Sequence, residues 1–248
     1  MAPLRDPALE EISEALHAAP GAETITRLSA IDAVRARILL AIEHRLYAPG
    51  EQLPPLEALA EGLDVAPITA RRALETLVED GALVRRRGRG GGTFVAASPP
   101  QIQDSAVNVF RADEDAIRLL IDQRCLMESA LVAAAAERIT VEECDDLEAL
   151  VDAAEQATTW AAFHSADRRF HRRCAELSGL VEATSYQTTY EMLARYFLPY
   201  PLDRLGGSHR EHRAIVEALR AGDGSRAATT TREHVGSLRR DMFMALPR

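Results

Sequence analysis

From Pro54 to Ala96 the chain changes its hydrophobic period twice over a short span, and few folds accept such a pattern. Leu56, Leu59, Ala60 and Leu63 follow the Pro54–Pro55 start signal at helical spacing. A tight corner at Asp64 and Val65 leads into a second helical run, which buries Ala70, Ala73, Leu74, Leu77 and Val78. Gly81 stops that run. Ala82 to Arg86, a glycine-rich tip from Gly88 to Gly92, and Thr93 to Ala96 then read as a two-stranded hairpin. Two short helices around a corner, closed by a hairpin, make a helix-turn-helix with a wing. An earlier helix completes the module: Ser29 and Asp32 stand at capping-box spacing, Ile31, Val34, Ile38, Ile42 and Leu46 share one face, and Pro49 and Gly50 end it.

The rest of the chain is organised differently. Residues 1–28 form an extension with one short helical pattern, Pro7 to Ala18, broken by Pro20 and Gly21. Residues 98–112 begin with Ser98, Pro99 and Pro100, lose helical periodicity and read as a linker. Beyond Asp113 the pattern is helical throughout: Asp113 to Glu137, Thr140 to Ala157, Trp160 to Leu177, Leu180 to Phe197, Ser208 to Ala221 and Ser225 to Ala245. Thr140 with Glu143, and Ser208 with Glu211, stand at capping-box spacing. The expected fold is therefore mainly α: a winged helix-turn-helix with a small β-hairpin over 29–97, and an all-α antiparallel helical bundle over 113–248.

A formal net charge of −9 argues at first against nucleic acid, whose phosphates call for a basic footprint. The charge is unevenly placed. Residues 1–30 carry two arginines against five acids, residues 31–100 nine against nine, and residues 101–248 eighteen against twenty-four. Within the balanced middle segment Arg71, Arg72, Arg85, Arg86, Arg87 and Arg89 cluster in the second half, a local basic surface. No apolar run approaches the roughly 18 residues of a membrane span, and the first residues lack a signal-peptide pattern, so a soluble cytoplasmic protein is expected. Cys125, Cys144 and Cys174 are odd in number and widely spaced, which suits small core residues better than disulfides.

Two sets of residues carry chemistry. Burying the apolar face of the second helix of the motif leaves Ile68, Thr69, Arg71, Arg72 and Glu75 outward, where Arg71 and Arg72 can reach guanine edges and Thr69 a thymine methyl or a phosphate. Arg85, Arg87 and Arg89 on the hairpin can meet phosphates or a minor groove, and glycines such as Gly90 let its backbone approach closely. Farther on, Asp167 and His171 stand one helical turn apart and can offer an oxygen and a nitrogen to one ion, although a plain polar pair has the same spacing. Arg124 and Glu128, likewise one turn apart, can form a helix salt bridge.

The segment from Leu46 to Val95, with "PGEQLPPLEALAEGLDV", "TARRALETLVEDG" and "GGTFV", resembles the winged helix of the GntR family of regulators. "RCLMESALVAAAAERIT", "DRRFHRRCAELSG" and "EHRAIVEALRAGD" resemble the helical effector domain of its FadR-like branch. The resemblance implies operator contacts from Thr69 and Arg71. Glu57 stands where the family commonly has a DNA-contacting arginine, so a half-site other than the usual one is expected. It further implies a metal bound by Asp167, His171, His212 and His234, with zinc the leading candidate and nickel or manganese compatible. Arg124 is then expected to face a cavity and pair with a small carboxylate effector. The implied function is that of a homodimeric regulator on double-stranded operator DNA, a repressor whose affinity an effector modulates. A metal-dependent enzyme acting on a small organic acid is the alternative.

Overall fold

A computed structural model describes residues 28–100, 104–202 and 205–241. The extension pattern at Pro7 to Ala18 and the end of the last expected helix lie outside the described residues. Helix α1 (Ala30–Glu43) starts where Ser29 Oγ accepts from the Asp32 amide at 3.1 Å, and it buries Val34, Ile38, Leu40 and Ala41. Helix α2 (Leu56–Gly62) follows Pro55, and helix α3 (Pro67–Glu79) begins with proline at its first position, where a missing N–H has no consequence. Asp64, at φ +54°, makes the corner between them.

Strands β1 (Leu83–Arg86) and β2 (Gly92–Val95) pair antiparallel, with Leu83 opposite Val95 and Arg86 opposite Gly92. The chain before α2 adds to this hairpin: Gly50 N donates to Val95 O at 3.0 Å and Leu53 N to Thr93 O at 2.9 Å. These bonds anchor the base of the wing to the helices and leave its tip projecting.

Part of the expected linker is ordered helix. Helix α4 (Ser105–Ala112) is capped by Asp104, which accepts from Ala106 N at 2.7 Å, and it lays Ala106, Val107 and Phe110 against α1. Two turns are too few for a convincing period in the sequence, and burial against a neighbour supplies the stability that local propensity lacks.

The bundle comprises α5 (Glu114–Ala136), α6 (Val141–Glu155), α7 (Trp160–Leu177), α8 (Glu182–Ala194), α9 (Gly206–Arg220) and α10 (Gly224–Asp241). Helix α5 packs along α10, α8 and α7, while α6 packs on α7 and α9. Thr140 and Glu143 form both bonds of the capping box at the start of α6. The second expected box is not formed: α9 begins at Gly206, which places Ser208 inside the first turn, and Glu211 bonds a histidine of α10. Leu59 and Leu63 of the winged helix share one apolar core with Trp160 and Phe163 of the bundle. No described helix is long and apolar enough to cross a membrane.

The two caps therefore differ in consequence. Thr140→Ala should remove about 1 kcal/mol and lower the calorimetric Tm by about 2–4 °C, whereas Ser208→Ala should leave it within about 1 °C.

Candidate nucleic-acid interface and metal centre

Helix α3 turns Ala70, Ala73, Leu74 and Leu77 inward, so its opposite face is open: Ile68, Arg71, Arg72 and Glu75 are exposed and Thr69 half-buried. The side read from the sequence as facing DNA is thus accessible. Arg85 lies 3.6 Å from Glu75 in a solvent-exposed pair worth little, so it can exchange this partner for a phosphate. Arg87 and Arg89 are exposed, while Arg86 lays its guanidinium over Phe94 at 4.1 Å. The tip requires glycine. Gly90 has φ +81°, and a methyl group on Gly91 would come within 2.6 Å of Arg86 O and 2.8 Å of Gly88 O.

Inside the bundle, α7 supplies Asp167 and His171, α9 supplies His212 and α10 supplies His234. The three imidazoles are buried and aim their Nε2 atoms at one point. His212 Nε2 lies 3.2 Å from that of His171 and 3.0 Å from that of His234, and the latter two are 3.4 Å apart. Asp167 Oδ1 stands 3.6 Å from both His171 Nε2 and His212 Nε2. Two nitrogens at tetrahedral angles around zinc, each about 2.0–2.1 Å from it, are about 3.3 Å apart. The observed separations match that spacing.

The far sides of the rings determine which nitrogen is bare. His234 Nδ1 bonds Glu211 Oε2 at 2.7 Å, and His171 Nδ1 bonds Glu128 Oε1. A carboxylate behind Nδ1 holds the proton there and leaves Nε2 as a lone pair facing the centre. His212 Nδ1 has no hydrogen-bond partner among the described residues. Two lone pairs thus face the centre, and with His212 Nε2 beside them they offer a cation three nitrogen ligands. The donor set fits a divalent metal.

Glu128 ties the surroundings together. It accepts from Arg124 Nε at 3.0 Å and from Tyr186 OH at 2.9 Å, as well as facing His171. Burial by itself would raise its carboxyl, but the charges of His171 and Arg124 outweigh burial and hold it well below the usual range. Asp167 is likewise held low: burial opposes ionisation, and the adjacent His171 overcomes it. His212 is pushed well down, first by burial and then by the adjacent imidazoles of His234 and His171, which keeps it neutral and ready to ligate.

Arg124 realises both geometries open to it in the sequence. It pairs with Glu128, stacks over Tyr190 at 4.5 Å, and still lines a cavity of about 160 Å³. Asp167, His171 and His234 form one side of that cavity, and Trp160, His164 and Phe197 another. His164 is not part of the convergent cluster; it stacks on Trp160 with centroids 5.5 Å apart.

Three residues have roles that local spacing does not reveal. Adjacent helical positions diverge, so spacing alone gives Glu211 no part in a site containing His212. It reaches His234 on the next helix and lines the same cavity. Glu128, readable only as the partner of Arg124, also orients His171. Tyr190, buried in the core, donates its hydroxyl to Asp167 Oδ2 at 3.4 Å.

Comparison with known proteins places these features together. Residues 30–95 match the gntR family of bacterial regulatory proteins, and residues 119–237 match the FCD domain. The HTH-type transcriptional regulator RmpR of Mycobacterium gastri is 31% identical over 226 residues, which span 89% of this chain and 81% of that protein. An L-lactate dehydrogenase operon regulatory protein of Escherichia coli is 26% identical over 82% of this chain and 83% of its own length. The HTH-type transcriptional repressor NanR of Cronobacter sakazakii is 25% identical over 92% and 91% respectively.

Removing metal with a chelator should leave the three imidazoles facing one another. At a free metal concentration a hundredfold above Kd the bound state gains about 2.7 kcal/mol. The Tm should thus fall by about 5–10 °C on chelation and recover on adding Zn²⁺ to the wild type but not to His212→Ala.

Burial pushes His164 from its ordinary 6.5 down to about 4. The unfolded chain then takes up this proton first as the medium is acidified, so the contribution is complete above pH 6.5 and is lost as pH falls toward 4. Urea unfolding across that window should show a shallower pH slope in His164→Phe than in the wild type.

Proposed function

Because the chain belongs to the GntR family of bacterial transcription regulators and carries an FCD domain, and so is a DNA-binding regulator and not an enzyme, we propose that it is a metal-loaded, effector-responsive repressor. The winged helix over 29–97 reads the operator, and the bundle over 113–248 senses a small carboxylate. Residues 98–112 join the two. The observation that carries the reading is the pairing of an open arginine-bearing face on α3 with a buried three-imidazole centre in the same chain.

On DNA, Arg71 and Arg72 contact base edges in the major groove, and Thr69 positions the start of α3. Arg85, Arg87 and Arg89 meet phosphates along the wing, with Gly90 allowing its backbone to come close. A homodimer presents two such modules to a pseudo-palindrome. The exposed Leu119 and Leu126, two turns apart on α5 and 39% and 69% accessible, support an apolar contact with a second copy. The protein acts in the cytoplasm, where the operator is.

Asp167, His171, His212 and His234 hold the ion. Zinc suits three imidazoles and one carboxylate best, and nickel or manganese would also be accepted. When bound, the ion would supply a positive centre beside which a carboxylate oxygen could be held. Arg124, fixed by Glu128 and Tyr190, presents the rest of its guanidinium to the same ligand. The cavity of about 160 Å³ restricts that ligand to a small acid.

Arg71→Ala should weaken binding to a duplex obtained by in vitro selection with the wild-type protein by about 5- to 150-fold while leaving the Tm unchanged. Wild-type affinity for that duplex, measured by fluorescence anisotropy, would show that α3 does not read the operator.

A further inference from the structure

The winged helix and the bundle meet on the outside of the metal cavity, and the contact is unusually close. Gly62, at the end of α2, lies against the Trp160 ring; a methyl group there would fall inside the van der Waals surface of Cε3 and Cζ3. From α1, Arg37 donates Nε to Phe197 O at 2.6 Å and Nη1 to Leu63 O at 3.2 Å. Arg37 is 5% exposed, and both of these bonds go to neutral carbonyls. Burial pushes its guanidinium down to about 9, with the charge of Asp64 only partly opposing.

Trp160 stacks on His164, and His164 meets Phe197 edge-on at 5.5 Å. All three line the cavity that Asp167, His171 and His234 share. The same aromatic side chains are therefore the wall of the cavity on one side and the seat of the winged helix on the other. Close-packed interiors respond to displacement by switching arrangement more readily than by deforming smoothly.

We propose that this seat is the coupling element: Gly62 on Trp160 and Arg37 on the Phe197 carbonyl dock the winged helix, and a ligand filling the cavity moves the wall and releases it. The proposal rests on reading the cavity as the effector site. A shift of Trp160 toward α2 meets Gly62, where even a methyl group would fall inside the ring's van der Waals surface. Arg37 favours release once the seat loosens, because a buried cation held by carbonyls regains its hydration. The connecting segment then limits how far the module travels, while the switch itself is this direct contact.

The test uses the full chain, whose single tryptophan is Trp160 itself. Ser237→Phe fills the cavity from α10 without any ligand. It should raise the radius of gyration in X-ray scattering and red-shift Trp160 emission at unchanged far-UV circular dichroism. Should that variant not fold, Ser208→Phe from α9 takes its place. Arg37→Met and Gly62→Val should undock the module from the other side. Because coupling is reciprocal, they should also change the Zn²⁺ dissociation constant, measured by chelator competition, by about fivefold or more. Wild-type scattering and emission from the filled-cavity variant would overturn the proposal, as would undocked variants that bind Zn²⁺ with wild-type affinity. If the wild type takes up no Zn²⁺, the metal reading fails, and scattering from the filled-cavity variant alone decides the docking.

Discussion

The Nε2 atoms of His171, His212 and His234 lie 3.0–3.4 Å apart in the middle of a helical bundle, and bare lone pairs at that distance repel one another. Such an arrangement is favoured where rings are held from behind. Glu128 and Glu211 do this for two of them, so α5, α7, α9 and α10 are bound through one polar centre. Buried polar groups have to be satisfied together or not at all. Glu128 is consequently shared among Arg124, His171 and Tyr186, and its ionised state depends on all of them.

That constraint also shapes the cavity. Arg124 cannot swing freely, because Glu128 holds Nε and the Tyr190 ring holds the guanidinium plane. On the proposed reading, this fixed cation favours a small anionic ligand over neutral ones. The wall facing the winged helix is aromatic and tightly packed, so the space is bounded by side chains with little room to yield.

The overall acidity of the chain and its cluster of arginines follow from separate demands. Acidic residues on the bundle keep a large helical surface solvated, whereas the second half of the middle segment concentrates arginine on α3 and the wing. Net charge describes solubility and long-range field, and a reading surface is built from where the charges stand. Helix α3 makes the separation visible: alanines and leucines inside, arginines outside.

Local periodicity determined much of this protein in advance. The helix, corner, helix and hairpin of the first half were legible because each is encoded by spacing within a few residues, and Thr140 with Glu143 capped a helix as their interval requires. The convergence of His171, His212 and His234 came from likeness to a family, since no interval in one chain says that three helices will meet. Helix α4 was hidden by its shortness, and Glu211 by the assumption that a side chain serves only its own helix. Gly62 against Trp160 had no signal at all. Contacts between residues far apart in the chain carry no period, and only tertiary packing, which balances burial of polar groups against the partners within reach, decides them.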